Sequence, residues 1–513
     1  MVPVAATPIL LSTVLQGIYP LPMRADRTLL GIALDSRRVQ QGSLFMACKG
    51  RSHDGRQYID RAIAAGAAAI LVEADEVDWC CEQERNGVPL LPVLNLHGQM
   101  AELASRFYGE PGKKMHLVGV TGTNGKTSTS QLLANGFTAL GYRCGVIGTL
   151  GHGMAGEDLR HDISGPITTP DAVMLQQIFA GLHAQQAESL VMEVSSHALD
   201  QSRVIVDDFA IGVFTNLTRD HLDYHHTLEA YGESKRMLFR GRGLQLAVLN
   251  ADDDYAAATA RVVQPDVRCF TFGLHNKAAD VFAERLSFTA AGLHLKVRTP
   301  WGVHTLTSSL LGSFNASNLL AVLATLLAAT SLDESFDAAA VVSVVAKLAP
   351  VVGRMQLVGG YPVTAVIDYA HTPDALEKAL QAVREHCTGR VWCVFGCGGN
   401  RDRGKRPHMA VIAEQFADRL VLTDDNPRDE DPLHILAEMT AGLRDPDSAL
   451  VYPGRAEAIT TALMQATAGD VVLIAGKGHE NYQEIAGRMQ PFSDVDCAQQ
   501  VLAMRFGSSV VRA

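Results

Sequence analysis

The sequence predicts an α/β protein of three domains. These are a small N-terminal α/β unit, a central parallel sheet opened by a phosphate loop and flanked by antiparallel hairpins, and a C-terminal Rossmann-like unit. Three observations predict it. Short buried apolar runs alternate with helical patterns along most of the 513 residues, as in parallel sheets covered by helices. A glycine loop at 122–125 lies between a strand pattern and a helix pattern. Two breaks, GEPGKKM at 109–115 and the Pro350–Gly353 stretch, cut the chain into parts of ordinary domain size.

Composition narrows the class. With 47% hydrophobic and 19% charged residues and a mean hydropathy of +0.08, there is material for several cores. The 44 Lys and Arg against 55 Asp and Glu give a net charge of −11, which argues against nucleic acid or an anionic membrane as partner. Nine cysteines lack zinc-type spacing, with Cys80 and Cys81 adjacent and Cys393 and Cys397 four apart. They read as reduced thiols, so a cytoplasmic protein is expected. The apolar N-terminus has no basic residues ahead of it, and neither export nor a membrane span is expected.

In residues 1–111, TLLGIAL, SLFMAC, AAILVE and LLPVLN read as strands and RQYIDRAIAAGAA as a helix. The second domain, 112–350, opens with LVGVTGTNGKTSTSQLLANGF: a strand ending at Val120, a glycine loop, and a helix from Lys126. LVMEV, IGVFTN and LAVLN follow as further buried strands. From 268 to 311 the period shifts toward 2 in RCFTFG, LHLKVRT and VHTLTSS, predicting antiparallel hairpins; NASNLLAVLATLLAAT then reads as an apolar helix. In 351–513, VTAVID, RVWCVFG, RLVLTD and DVVLIAG each precede a helical pattern, which predicts a mostly parallel sheet.

The loop is the first chemical signal. Backbone N–H groups of Gly122, Thr123, Asn124 and Gly125, with those of Lys126, Thr127 and Ser128 at the helix start, suit phosphate oxygens. Lys126 would reach the β/γ-phosphates, and the Thr127 hydroxyl would ligate Mg²⁺. The strict phosphate-loop pattern wants glycine at 120, where Val120 stands. Glu193 ends a neighbouring strand, where a carboxylate can hold Mg²⁺ or orient a water. NLTRDHLDYH puts Asp220, His221 and Asp223 past another strand end, and beside the loop His221 reads as a metal group. Lys235, on composition alone, reads as a solvated helix lysine. Asp252-Asp253-Asp254 precedes a helical pattern and reads as a cap rather than a cation site.

GTNGKT (122–127), EVSSH (193–197), NLTRDHLDYH (216–225), YGESK (231–235), GSFNASN (312–318), GRM (353–355) and DYAHTPDAL (368–376) together resemble the Mur ligase family. These are ATP-dependent amino-acid-adding enzymes of peptidoglycan synthesis, and the resemblance runs from about residue 30 to 485. It implies that Lys126 and Thr127 hold ATP and a first Mg²⁺, that Glu193 ligates metal, and that His221 and Lys235 serve a second Mg²⁺. The equivalent lysine in the family is commonly carbamylated. Asn315 and Asn318 would contact the nucleotide, Arg354 would neutralise phosphate charge, and Asp368 would contact the ribose.

LDSR (34–37) and GRSHDGR (50–56) resemble the family's UDP-sugar site, implicating Leu34, Ser36, Arg51, Ser52 and His53. TTP (168–170) and SSHALDQSR (195–203) resemble the muramoyl-peptide contacts, implicating Thr168, Thr169, Ser195, Gln201 and Arg203. Ile167 stands where some members carry a polar Asn, and it is left out of the site. GCGGNRDRGKRP (396–407), DNPR (425–428) and GKGHE (476–480) resemble the branch that adds meso-diaminopimelate to UDP-MurNAc-L-Ala-D-Glu, implicating Arg401, Asp425, Asn426, Pro427, Arg428, Gly476 and Glu480. Diaminopimelate differs from lysine by one carboxylate, which the Arg428 fork suits. Leaving such a charge unpaired costs roughly 3–5 kcal/mol, about a hundred- to several-thousand-fold.

The expected reaction is amide ligation through an acyl phosphate in a monomer, with domain closure around the substrates. The competing readings are a lysine-adding homologue, a folylpolyglutamate-synthetase-like ligase, and a catalytically silent ATP-binding module. The UDP-type segment argues against the second of these. Intact Lys126, Glu193, His221 and Asp368 argue against the third.

Overall fold

The computed structural model describes residues 7–50, 54–74, 81–161, 168–333 and 335–507. The chain divides into two compact units, Met1–Phe272 with Ala324–Phe336, and Gly273–Leu323 with Asp337–Ala513.

Beside a two-stranded ribbon of Ile9–Leu10 with Thr28–Leu29, the first unit holds strands of two larger sheets. In the N-terminal one, Gly31–Ala33, Ser43–Ala47, Ala69–Glu73 and Val88–Val93 run parallel in that order, and Gln83–Arg85 closes the edge antiparallel. Alternation decides which residues go where: Leu44 and Met46 enter one core, Phe45 and Ala47 the other. GEPGKKM is a packed joint. Pro111 and Gly112 are buried in a short 3₁₀ turn, and a Cβ on Gly112 would lie 2.5 Å from Asp208 Oδ2.

In the second sheet the phosphate-loop strand His116–Thr121 runs between Ser189–Glu193 and Phe209–Phe214. Cys144–Gly148 lies beyond the former, Leu246–Asn250 and Arg268–Gly273 beyond the latter, all parallel. RCFTFG therefore corrects the expectation of a hairpin. It pairs in parallel with Leu246–Asn250, and a period of 2 in the sequence does not tell a parallel strand from an antiparallel one. Helix Ala172–Ala184 feeds two cores, Ala172 and Val173 into the N-terminal one and Met174–Leu182 into the central one.

The second unit contains a meander, Val281–Thr289, Gly292–Thr299 and Gly302–Ser308, antiparallel throughout. Its first strand escaped the sequence reading. It also contains a six-stranded sheet in the order Gln356–Val358, Thr364–Asp368, Val471–Ala475, Val391–Phe395, Arg419–Leu422, Ala449–Val451. Only Gln356–Val358 is antiparallel there, and cores cover both faces. The four strands predicted beyond residue 350 are all present.

Helix Ser313–Thr330 is long and apolar enough to cross a bilayer on length and composition, which corrects the expectation that no such stretch exists. It is 78% buried inside the protein, as a core helix is.

Candidate active site

Strand His116–Thr121 stops at Gly122, whose φ of +152° turns the chain; a Cβ there would lie 1.9 Å from Thr215 Oγ1. Gly125, at φ +83°, starts helix Lys126–Ala139. Two of the loop's N–H groups are committed to protein: Thr123 donates to Asn216 O (2.9 Å) and Asn124 to Asn216 Oδ1 (2.9 Å). Thr218 N–H donates to Thr123 Oγ1 at 2.9 Å, so 216–218 braces the loop. The first-turn N–H groups of a helix have no intrahelical carbonyl to donate to, which is the chemistry a phosphate uses. Lys126 Nζ folds back onto Gly122 O and Thr123 O, both at 2.8 Å.

Glu193 is paired with Val120 across the strands and is 1% exposed. Its carboxylate accepts from Thr127 Oγ1 (3.0 Å), Thr149 N (2.7 Å) and Thr149 Oγ1 (3.2 Å). The Thr127 hydroxyl and Glu193 carboxylate thus form an oxygen pair at the loop, chemistry that suits Mg²⁺. Among the described residues no three His, Cys, Asp or Glu side chains converge as a cage.

Lys235 overturns its solvated reading. It is 1% exposed, donates to Gly122 O at 2.8 Å and sits 4.3 Å over the Tyr231 ring. Burial first, then the nearby Lys126 charge, drive its pKa well below the usual lysine value, opposed by Asp220. His221 sits nearby in the left-handed region at φ +51°, its ring 4.9 Å from His197 and 6.0 Å from Tyr231. Desolvation, then His221, His225 and Arg203, bring His197 down to about 4.

The peptide-contact set gathers beside this cluster. Thr169 Oγ1 donates to Glu193 O (2.9 Å) and accepts from Ser195 N (3.1 Å), and Thr149 Oγ1 meets Thr168 Oγ1 at 3.3 Å. Arg203 donates to Thr169 O (2.9 Å) and Gln201 Oε1 (2.6 Å). Of the UDP-site residues, Ser36 is buried just past strand Gly31–Ala33 and Leu34 packs half-buried on the core. Arg51, Ser52 and His53, and Ile167, lie outside the described residues. Asp254, the N-cap residue of helix Tyr255–Ala260, makes no side-chain cap bond; Asp253 instead accepts Tyr255 N at 2.9 Å and anchors Leu217 N at 2.7 Å.

In the second unit, Asp368 accepts Met355 N and Ala370 N, each at 2.8 Å, and Arg354 lies over the Tyr369 ring at 4.8 Å. Burial raises the Asp368 pKa against Arg354 and these N–H groups. Asn318 Nδ2 donates to Asn315 Oδ1 at 3.1 Å, so the two share one buried helix face.

Arg428, at φ +53°, is held by Nε to Glu484 Oε2 (3.0 Å) and by Nη1 to Gly399 O (2.7 Å). A Cβ on Gly398 would lie 3.0 Å from Arg428 Nη1 and 3.8 Å from Arg401 Cγ, so the Arg428 guanidinium and the Arg401 stem both border Gly398. Asn426 Nδ2 donates to Glu480 Oε2 at 2.8 Å. Asp425 Oδ2 lies 2.4 Å from where a Cβ on Gly476 would sit.

Sequence reasoning missed Thr149, for which no sequence signal exists. It also missed Lys477, inside the quoted GKGHE. Lys477 is 0% exposed and bonded to Asn426 Oδ1 (3.0 Å) and Glu480 Oε2 (2.9 Å).

Comparison with known proteins adds a frame to this geometry. Residues 28–108 match the Mur ligase family catalytic domain, 120–326 the Mur ligase middle domain, and 353–478 the Mur ligase glutamate ligase domain. A UDP-N-acetylmuramoyl-L-alanyl-D-glutamate--2,6-diaminopimelate ligase of Ectopseudomonas mendocina is 47% identical over 475 residues, 92% of this chain and 94% of that protein. A solved structure of an enzyme of the same name superposes with a TM-score of 0.70 at 36% identity, covering 96% of this chain and 98% of the other. The MurF ligase of Thermotoga maritima, solved with ADP, shares the fold at a TM-score of 0.58 and 18% identity, with 96% and 99% covered. Three family models in order along the chain, and a near full-length relative at this identity, establish that the protein belongs to the Mur ligase family.

Proposed function

We propose that the protein joins meso-diaminopimelate to the D-glutamyl γ-carboxylate of UDP-MurNAc-L-Ala-D-Glu, converting ATP to ADP and phosphate. On this reading, 1–111 binds the UDP-sugar, 112–350 binds ATP and 351–513 selects the amino acid. The γ-carboxylate attacks the γ-phosphate to give an acyl phosphate. The diaminopimelate amine then attacks the acyl carbon, and phosphate leaves. Neither step needs a covalent enzyme intermediate, so positioning and charge neutralisation do the catalysis.

Lys126 and the first-turn amides would hold the phosphates, with Arg354 and Asp368 joining from the second unit. Arg203, held by Gln201 and Thr169, would orient the dipeptide. Thr127, Glu193, His221 and Lys235 would hold Mg²⁺, which neutralises the triphosphate and polarises its γ-phosphorus. The depressed pKa of Lys235 supports its carbamylation, because only the neutral amine adds CO₂ and the carbamate then offers oxygen ligands.

The observation that carries the amino-acid assignment is Arg428. Its Nε and one Nη1 proton are tied to Glu484 and Gly399, leaving the Nη1–Nη2 edge, beside Arg401, for a carboxylate. ADP release dependent on the UDP-dipeptide, run with meso-diaminopimelate against L-lysine, tests it. Diaminopimelate is expected to win by at least a hundredfold in kcat/KM. A preference for lysine overturns the assignment.

A further inference from the structure

Arg401 and Arg428 sit on separate loops that meet at Gly398, and a third, wholly buried arginine fastens those loops together. Arg406, on helix Lys405–Phe416, is 0% exposed. Its Nη2 donates to Gly398 O (3.1 Å) and Glu430 Oε1 (3.0 Å); its Nη1 donates to Glu430 Oε2 (3.0 Å) and Glu438 Oε2 (2.7 Å). Gly398 belongs to the loop that carries Arg401, and Glu430 to the turn that carries Arg428. Glu430 Oε1 also accepts the N–H of Asn400, next to Arg401.

The joint is tight enough to set a spacing. Gly399 N–H donates to Asn426 O at 2.9 Å, and a Cβ on Gly399 would lie 1.8 Å from Pro427 O. Arg428 then reaches back to Gly399 O, so its guanidinium takes its position from the same loop that Arg406 holds.

We propose that Arg406 is a positioning residue for amino-acid selection: its buried pair with Glu430 fixes the separation of Arg401 and Arg428 that receives the distal carboxylate. The proposal rests on the diaminopimelate reading above. Arg406 touches no substrate. It acts by geometry, because two guanidiniums share one carboxylate only when the supporting loops hold them within a fraction of an ångström. Lysine at 406 keeps the charge but offers a single ammonium, which cannot span Gly398 O and both Glu430 oxygens.

The test is steady-state kinetics on Arg406→Lys in the full-length enzyme, with Glu430→Gln as a second variant at the solvent-facing side of the pair. Expected for each is a rise of about tenfold or more in KM for diaminopimelate, with kcat and the KM values for ATP and UDP-dipeptide within about twofold. Discrimination against L-lysine should shrink by the same factor. An unchanged amino-acid KM in either folded variant refutes the proposal. So does a parallel loss on all three substrates, the mark of a structural role alone. Wild type run alongside reports on the parent reading separately: if it prefers lysine, that reading fails, and the variants are still scored on the KM of the amino acid accepted.

Discussion

Lys235 shows how a residue that composition leaves anonymous is made specific by its surroundings. Its amine shares the Gly122 carbonyl with Lys126, and two ammonium groups on one oxygen in a buried site repel. The fold resolves the conflict by disfavouring the Lys235 proton. Between the depressed folded-state value and the ordinary lysine value, the unfolded chain therefore binds more protons than the folded one does, and stability rises with pH across that window. Lys235→Met should remove that cost, since methionine fills the volume without a charge to desolvate. Against wild type freed of CO₂, whose Lys235 amine is unmodified, a higher Tm is expected; against wild type in bicarbonate, a fall in kcat on the order of a hundredfold. Differential scanning calorimetry and the ADP-release assay check the two halves. A lower Tm would refute that cost, and full activity would remove Lys235 from the metal site. Only the family motif singled out this lysine, because burial cannot be read from YGESK. Glu193 was legible for the opposite reason, as a carboxylate at the end of an apolar strand advertises itself.

At the scale of elements, local rules located the strands and failed at their neighbours. VTAVID and RVWCVFG are buried on both faces, and their unbroken apolar runs could be read directly. Val281–Thr289 has an inner face but an interrupted pattern, with Glu284 and Arg285 exposed in succession where the register shifts, so its period is broken. Loop pairings such as Thr149 with Glu193 join residues 44 apart and leave no local trace. Helix Ala172–Ala184 carries a legible device with long-range consequences. Asp171 Oδ1 accepts the N–H groups of Val173 (3.0 Å) and Met174 (2.9 Å), the first of which packs in the N-terminal core and the second in the central one. Asp171→Ala should cost about 1 kcal/mol of stability in chemical denaturation. Because Thr168 and Thr169 lead into this helix, KM for the UDP-dipeptide should rise as well. A stability change without a KM change would separate the helix start from the peptide site.

Across the whole molecule, the chemistry is divided between the two compact units. Lys126, Thr127, Glu193 and Lys235 belong to Met1–Phe272 with Ala324–Phe336, while Arg354, Asp368, Arg401 and Arg428 belong to Gly273–Leu323 with Asp337–Ala513. On the proposed function, an acyl phosphate formed beside the first unit's residues would have to meet an amine bound by the second unit's, with water kept away from it. Each substrate alone offers only part of the charge that would draw the units together. On the proposed function, the triphosphate would need Arg354, and the dipeptide's acyl carbon would need the amine bound near Arg428. The net charge of −11 says nothing of this, since the few cations that matter are locally placed. Compaction should therefore depend on ligands bound together. In small-angle scattering, an ATP analogue with the UDP-dipeptide should lower the radius of gyration relative to the ligand-free protein. Either ligand alone should produce a smaller change. Arg354→Ala should weaken the response to the pair while leaving the UDP-dipeptide's own affinity intact, because Arg354 is carried by the unit that does not hold the peptide-contact residues. An unchanged radius with both ligands bound at saturation would refute closure, and assembly of the site would then have to be explained within a fixed arrangement.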